Sequence, residues 1–99
     1  MPQLATEPEI EIFLERNGNW SKHESSLTSM FTAPSFLLAI DLVNSVAVIA
    51  EGLDHHPDID IRWNKVIFVV STHSAGGITS LDFELATAID VAAGKLLKG

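Results

Sequence analysis

Hydrophobic positions recur along this chain with different periods, and the period predicts the element in each stretch. Near the start, Thr6-Glu7-Pro8-Glu9 has the S/T-x-x-E spacing of a capping box, with Pro tolerated in a first turn. Ile10, Phe13 and Leu14 then share one apolar face and Gly18 supplies a stop, so a short helix is predicted. From Asn19 to Ala33 the chain turns to Trp, Ser, Thr and aromatic residues with a turn-like break at Glu24-Ser25-Ser26, which predicts a hairpin. Phe36 to Ala50 is the most apolar stretch, with Ser35 where an N-cap belongs. Beyond His55-His56-Pro57, Ile59, Ile61 and Trp63 alternate with Asp60, Arg62 and Asn64, the period of two of a half-buried strand. Asn64-Lys65 is read as the turn into a central, β-branched strand from Val66 to Thr72. Ala75-Gly76-Gly77 breaks that strand. Thr79-x-x-Asp82 then caps a last helix whose core face is Leu81, Leu85, Ala88, Ile89, Ala92 and Leu96.

The resulting order is α-β-β-α-β-β-α, which predicts an α+β fold: a four-stranded antiparallel sheet with helices packed on one face. The long apolar segment is also the obvious candidate for a membrane span. Asp41 and Asn44 near its middle, Glu51 at its end and the lack of basic anchors argue against that. A soluble helix apolar nearly all round is buried on two sides. One side is expected on its own sheet and the other on a second subunit, with Val43 and Val46 placed on the partner-facing side.

Length narrows the picture further. A chain of 99 residues suits a single domain spanning 1–99 with a thin core, so self-association as a homodimer or homotetramer is expected. Six Lys and Arg against thirteen Asp and Glu give a formal charge of -7, which disfavours direct nucleic-acid binding because that affinity comes from neutralising phosphates. With no cysteine there is no disulfide, thiolate nucleophile or thiolate metal site. The first residues lack a basic start followed by an apolar run, and the cytoplasm is the expected location.

Candidate chemistry lies with the histidines. His55 and His56 follow the long helix and His73 ends the fourth strand, at element ends where scaffolds present reactive groups. If the long helix runs to Asp54, then Asp41, Asn44, Glu51 and His55 form one stripe, and Glu51 can orient His55. Singly, each residue has an ordinary explanation: a histidine at a helix end suits the dipole, Glu51 is solvated, Asp82 completes a cap and Trp63 is core. A metal site is the further alternative, but H-x-H and H-x-x-x-H spacings are missing, and adjacent histidines seldom share an ion.

Taken together, Glu51, His55-His56-Pro57, Trp63, His73 and Asp82 carry the spacing of the pterin-4a-carbinolamine dehydratases, and the chain resembles that family over almost its whole length. Trp20, Asn64-Lys65-Val66, Ser71-Thr72-His73 and the Asp-x-x-Leu-Ala of Asp82 to Ala86 are similar to it as well. Two departures from animal-type members are visible: Ser74 stands where they have Glu and Leu81 where they have Arg.

The resemblance implies a hydro-lyase that removes water from a 4a-hydroxytetrahydropterin in recycling of a tetrahydrobiopterin-type cofactor, using no cofactor of its own. It implies His55 and His73 as the acid/base pair and Glu51 as a residue tuning His55. His56 and Pro57 would hold the pterin, and the loop Thr72, His73, Ser74 and Ala75 would line the pocket, with Trp63 and Asp82 in support. For Asp82, capping and holding the His73 loop stand as equal roles. The expected partner is a small pterin, with no nucleic acid and no membrane. The same fold also serves non-catalytic assembly chaperones and a dimerisation cofactor. The chaperones typically lose the histidines that this chain keeps.

Overall fold

In the computed structural model, which describes residues 2–97, both capping boxes form. Thr6 opens helix α1, Glu7–Arg16, and accepts from the Glu9 N–H while the Glu9 carboxylate accepts from the Thr6 N–H. Strands β1, Ser21–His23, and β2, Ser26–Thr32, make the expected hairpin, with Glu24 in the left-handed conformation at its turn. Ser35 caps helix α2, Phe36–Leu53, and Thr79 caps helix α3, Ser80–Leu96. Between the helices lie β3, Asp58–Arg62, β4, Lys65–Val70, and a 3-10 turn at His73–Ala75.

The four strands are antiparallel in the order β1-β2-β4-β3. Central β4 turns Val66, Phe68 and Val70 to the core, opposite Phe31, Ser29 and Leu27 of β2. Ala39, Leu42, Val46 and Ala50 of α2 and Leu85, Ala86, Ile89 and Ala93 of α3 complete the core. Phe13 of α1 stacks on Phe83 of α3 with ring centroids 4.7 Å apart, which ties the first helix to the last.

Several expectations about single residues are corrected. Val46 lies fully in the core rather than toward a partner, and Val43 is half-buried. The large exposed apolar residues of α2 are instead Leu37, Val48 and Phe36, and Leu37 and Val48 share a stripe with Asp41, Asn44 and Glu51. By length and mean hydropathy α2 could cross a membrane. Its buried positions, however, are core contacts, and the exposed stripe mixes charge and amide with its apolar side chains.

On α3 the buried face is rotated from the predicted one: Ala86 and Ala93 are buried, while Leu81, Ala88, Ala92 and Leu96 are half-exposed. Strand β3 keeps its predicted alternation, with Ile59 opposite Phe68 and Ile61 opposite Val66, but as an edge strand it is only partly covered. The turn that follows is Trp63–Asn64, one residue earlier than expected. Trp63 sits there with φ 55° and is 72% exposed, so it is not core. Asn64 fixes this turn by donating its side-chain amide to the Ala33 carbonyl at 2.9 Å.

Candidate active site

The end of α2 determines where the first two histidines go. Asp54 adopts the left-handed conformation, φ 51°, immediately after Leu53. The His55 N–H then bonds back to the Ala50 carbonyl at 3.1 Å and the Asp54 N–H to Glu51 at 3.3 Å, the paired bonds of a Schellman ending. Aspartate tolerates this conformation better than most residues, though at some cost relative to glycine. Because the helix stops at Leu53, His55 leaves the Asp41-Asn44-Glu51 stripe and turns inward. Glu51 therefore does not reach His55. It pairs instead with exposed His56, Oε2 to Nε2 at 2.5 Å.

Buried His55 meets Asp82 across the core, Nε2 to Oδ1 at 2.7 Å. Asp82 is fully buried in the first turn of α3, and its other oxygen accepts from the Thr79 N–H and the Thr72 hydroxyl, both at 2.9 Å. One carboxylate thus completes the helix cap with Oδ2 and holds an imidazole with Oδ1. Both roles weighed for Asp82 fall on Oδ2, which caps the helix at Thr79 and bonds Thr72 at the start of the His73 loop, while Oδ1 adds a hold on His55. With Asp82 as acceptor, His55 Nε2 carries a hydrogen, and among the described residues Nδ1 has no hydrogen-bond partner. This is the geometry by which a buried carboxylate sets the tautomer and direction of a working imidazole.

His73 opens the 3-10 turn after β4 and is exposed. Gly76, at φ 78°, closes that turn in a conformation that favours glycine. A cleft of about 290 Å³ lies between this loop and the end of α2, near the lower limit of small-molecule sites. His55, His56 and His73 line it together with Thr72 and Ser74, and Leu81 closes one side. The adjacent His55 and His56 and the distant His73 therefore share one concave surface. Pro2, Asp54 and Ser71 also line it. Asp54 and Ser71 come with their chain neighbours His55 and Thr72, whereas Pro2 is brought there by the fold alone.

Pro57 and Ala75 adjoin the cleft in sequence but do not form its wall. Trp63 is not brought to it at all: five residues of β3 separate it from Pro57, roughly 15 Å or more along an extended strand. Among the described residues, no three of His, Asp and Glu converge as a metal site would require. Within the cleft, His55 is turned to Asp82 and His56 to Glu51.

A family model described as pterin 4 alpha carbinolamine dehydratase matches residues 3–92. The chain belongs to this family. Among its relatives, a Mycobacteroides abscessus protein named "Putative pterin-4-alpha-carbinolamine dehydratase" is 47% identical over 92 residues, covering 93% of this chain and 98% of the relative. A Roseiflexus castenholzii protein of the same name is 47% identical over 90 residues, 91% of this chain and 97% of the relative. In structure, the chain is similar to a transcriptional coactivator/pterin dehydratase from Brucella melitensis, with TM-score 0.89 and 32% identity over 93% of this chain and all of that one. It shares its fold with a pterin dehydratase-like RuBisCO assembly factor of the alpha-carboxysome, TM-score 0.63 at 18% identity over 76% of this chain and 87% of that one.

Proposed function

We propose that this member of the family is an active hydro-lyase that converts a 4a-hydroxytetrahydropterin to the quinonoid dihydropterin and water. The observation that carries the reading is the set of three histidines on one cleft, one of them buried and held by a carboxylate through a single ring nitrogen. A fold kept only for binding has no need of that arrangement.

The reaction breaks the bond between carbon 4a and its hydroxyl oxygen, which leaves as water after receiving a proton. An adjacent ring nitrogen gives up its proton as the carbon–nitrogen double bond forms, so there is no net oxidation. Two groups able to give and take protons near neutral pH are required, and imidazole suits both tasks. His55 acts from the floor of the cleft through Nδ1, the nitrogen not bonded to Asp82. His73 acts from the rim, on the other face of the ring. His56, steadied by Glu51, holds the pterin, and the Thr72 to Ser74 segment lines its edge, with Pro57 and Ala75 bracing the two segments from behind the wall. Glu51 thus serves binding more than proton transfer. Serine and leucine at 74 and 81 put no charge on the wall at those points.

Assembly as a homodimer or homotetramer is part of the proposal. Exposed Val48 of α2 and Val91 of α3 edge an apolar groove of about 650 Å³, a surface suited to another subunit. A cytoplasmic setting completes the reading. The test is stopped-flow decay of freshly generated 4a-hydroxytetrahydropterin with purified, chelator-treated protein. Catalytic acceleration is expected, whereas saturable pterin binding without acceleration favours a non-catalytic binding or assembly role.

A further inference from the structure

Thr72 is connected to both halves of the site, and we infer that it is the positioning residue that sets His55 and His73 together. This inference rests on the reading of those histidines as the proton-transfer pair. The side chain and the backbone of Thr72 each contribute. Its hydroxyl lies 2.9 Å from Asp82 Oδ2 and 2.8 Å from the Thr79 hydroxyl. The carboxylate only accepts, so the single Thr72 proton goes to Asp82 and the Thr79 hydroxyl donates to Thr72. The Thr79 oxygen in turn accepts from the Leu81 N–H at 3.2 Å. Every proton in this buried chain therefore has one direction, ending on the carboxylate that holds His55.

The backbone of Thr72 closes the loop that carries His73. Its carbonyl accepts from Ala75 and Gly76 at 3.0 Å, and its N–H donates to the Gly77 carbonyl at 2.9 Å. One residue thus fixes the carboxylate behind His55 and the base of the His73 turn. Its β-branched side chain has few χ1 rotamers, which keeps the hydroxyl aimed at Asp82. The Thr72 side chain is buried with its hydroxyl committed on both sides, so its hydroxyl sets the reacting group without serving as a catalytic residue.

Thr72→Val keeps the shape and removes the hydroxyl, leaving Asp82 Oδ2 with one donor and the Thr79 hydroxyl without an acceptor. Imidazole nitrogen NMR on the substrate-free protein should show His55 as one Nε2–H tautomer in the wild type and as mixed tautomers in T72V. Turnover should fall roughly 10- to 100-fold with KM little changed, as expected when a reacting group is misaligned rather than removed. Thr72→Ser, which restores the hydroxyl, should recover the single tautomer and most of kcat. If T72V does not fold, Thr72→Ala, which leaves room for a water, gives the same comparison with T72S. A single Nε2–H tautomer with wild-type kcat in the hydroxyl-free variant overturns the inference, as does a T72S protein as impaired as that variant. Because the tautomer is read without substrate, a wild type with a fixed tautomer and no turnover would fault the dehydratase reading and leave the positioning role standing.

Discussion

Replacing Asp82 by Asn isolates what the carboxylate does for His55, because the two side chains have nearly the same shape. Asp82 now accepts three hydrogen bonds, at 2.7 Å from His55 and 2.9 Å each from Thr72 and Thr79. In D82N the amide oxygen would stay with the two donors on the helix side, since the opposite rotamer sets an NH2 group against both. The NH2 group would then face His55 Nε2, which must accept, and the hydrogen moves to Nδ1. An imidazolium carries N–H on both nitrogens and so faces the amide N–H directly. The cationic form, the better proton donor, is disfavoured.

The helix cap keeps its geometry in D82N, but all three bonds lose their charged acceptor, a stability cost of at least about 1 kcal/mol. For a domain of this size each kcal/mol lowers Tm by roughly 4–8 °C. Turnover should fall about 100-fold or more, the usual worth of a positioned acid/base group. Circular dichroism melts and stopped-flow decay of the 4a-hydroxypterin measure the two effects separately. A folded D82N protein with turnover within about threefold of wild type would refute the role given to the Asp82–His55 bond.

Glu51→Gln should raise KM while changing kcat little, because Glu51 bonds His56; as an exposed pair it should cost at most about 1 kcal/mol in stability. A fall in kcat at constant KM would return Glu51 to a role at His55. Val46→Glu buries a charge in the core and should unfold the chain, an effect of several kcal/mol visible as lost cooperative melting. Val48→Glu, on the exposed side of α2, should keep the helical spectrum and lower the molar mass measured by light scattering. A wild-type mass for V48E would remove this face from the assembly.

Features carried by near neighbours were legible in the sequence. The Thr6–Glu9 and Thr79–Asp82 boxes and the Ser35 cap depend on residues three apart, and all form as read. The element order and the antiparallel sheet followed from period and turn chemistry. The partners of the histidines were not legible, because one left-handed residue, Asp54, swings His55 off the helical stripe and exchanges Glu51 for Asp82. Trp63 and Val46 were misread because hydrophobicity alone does not say which side of an edge strand or of a wholly apolar helix is covered. The Thr72–Thr79 hydroxyl chain had no signature, since it joins residues that meet only when β4 packs against the start of α3.

The central claim is that His55 and His73 transfer the protons of dehydration from opposite faces of the pterin. Stopped-flow decay of the separate 4a-hydroxy stereoisomers with H55A, H73A and the double variant tests it most directly. Each single change should slow the reaction by about one to three orders of magnitude, unequally for the two isomers, and the double change should remove catalysis of both. Wild-type decay rates with a folded double variant would contradict the account and leave a pterin-binding protein in its place.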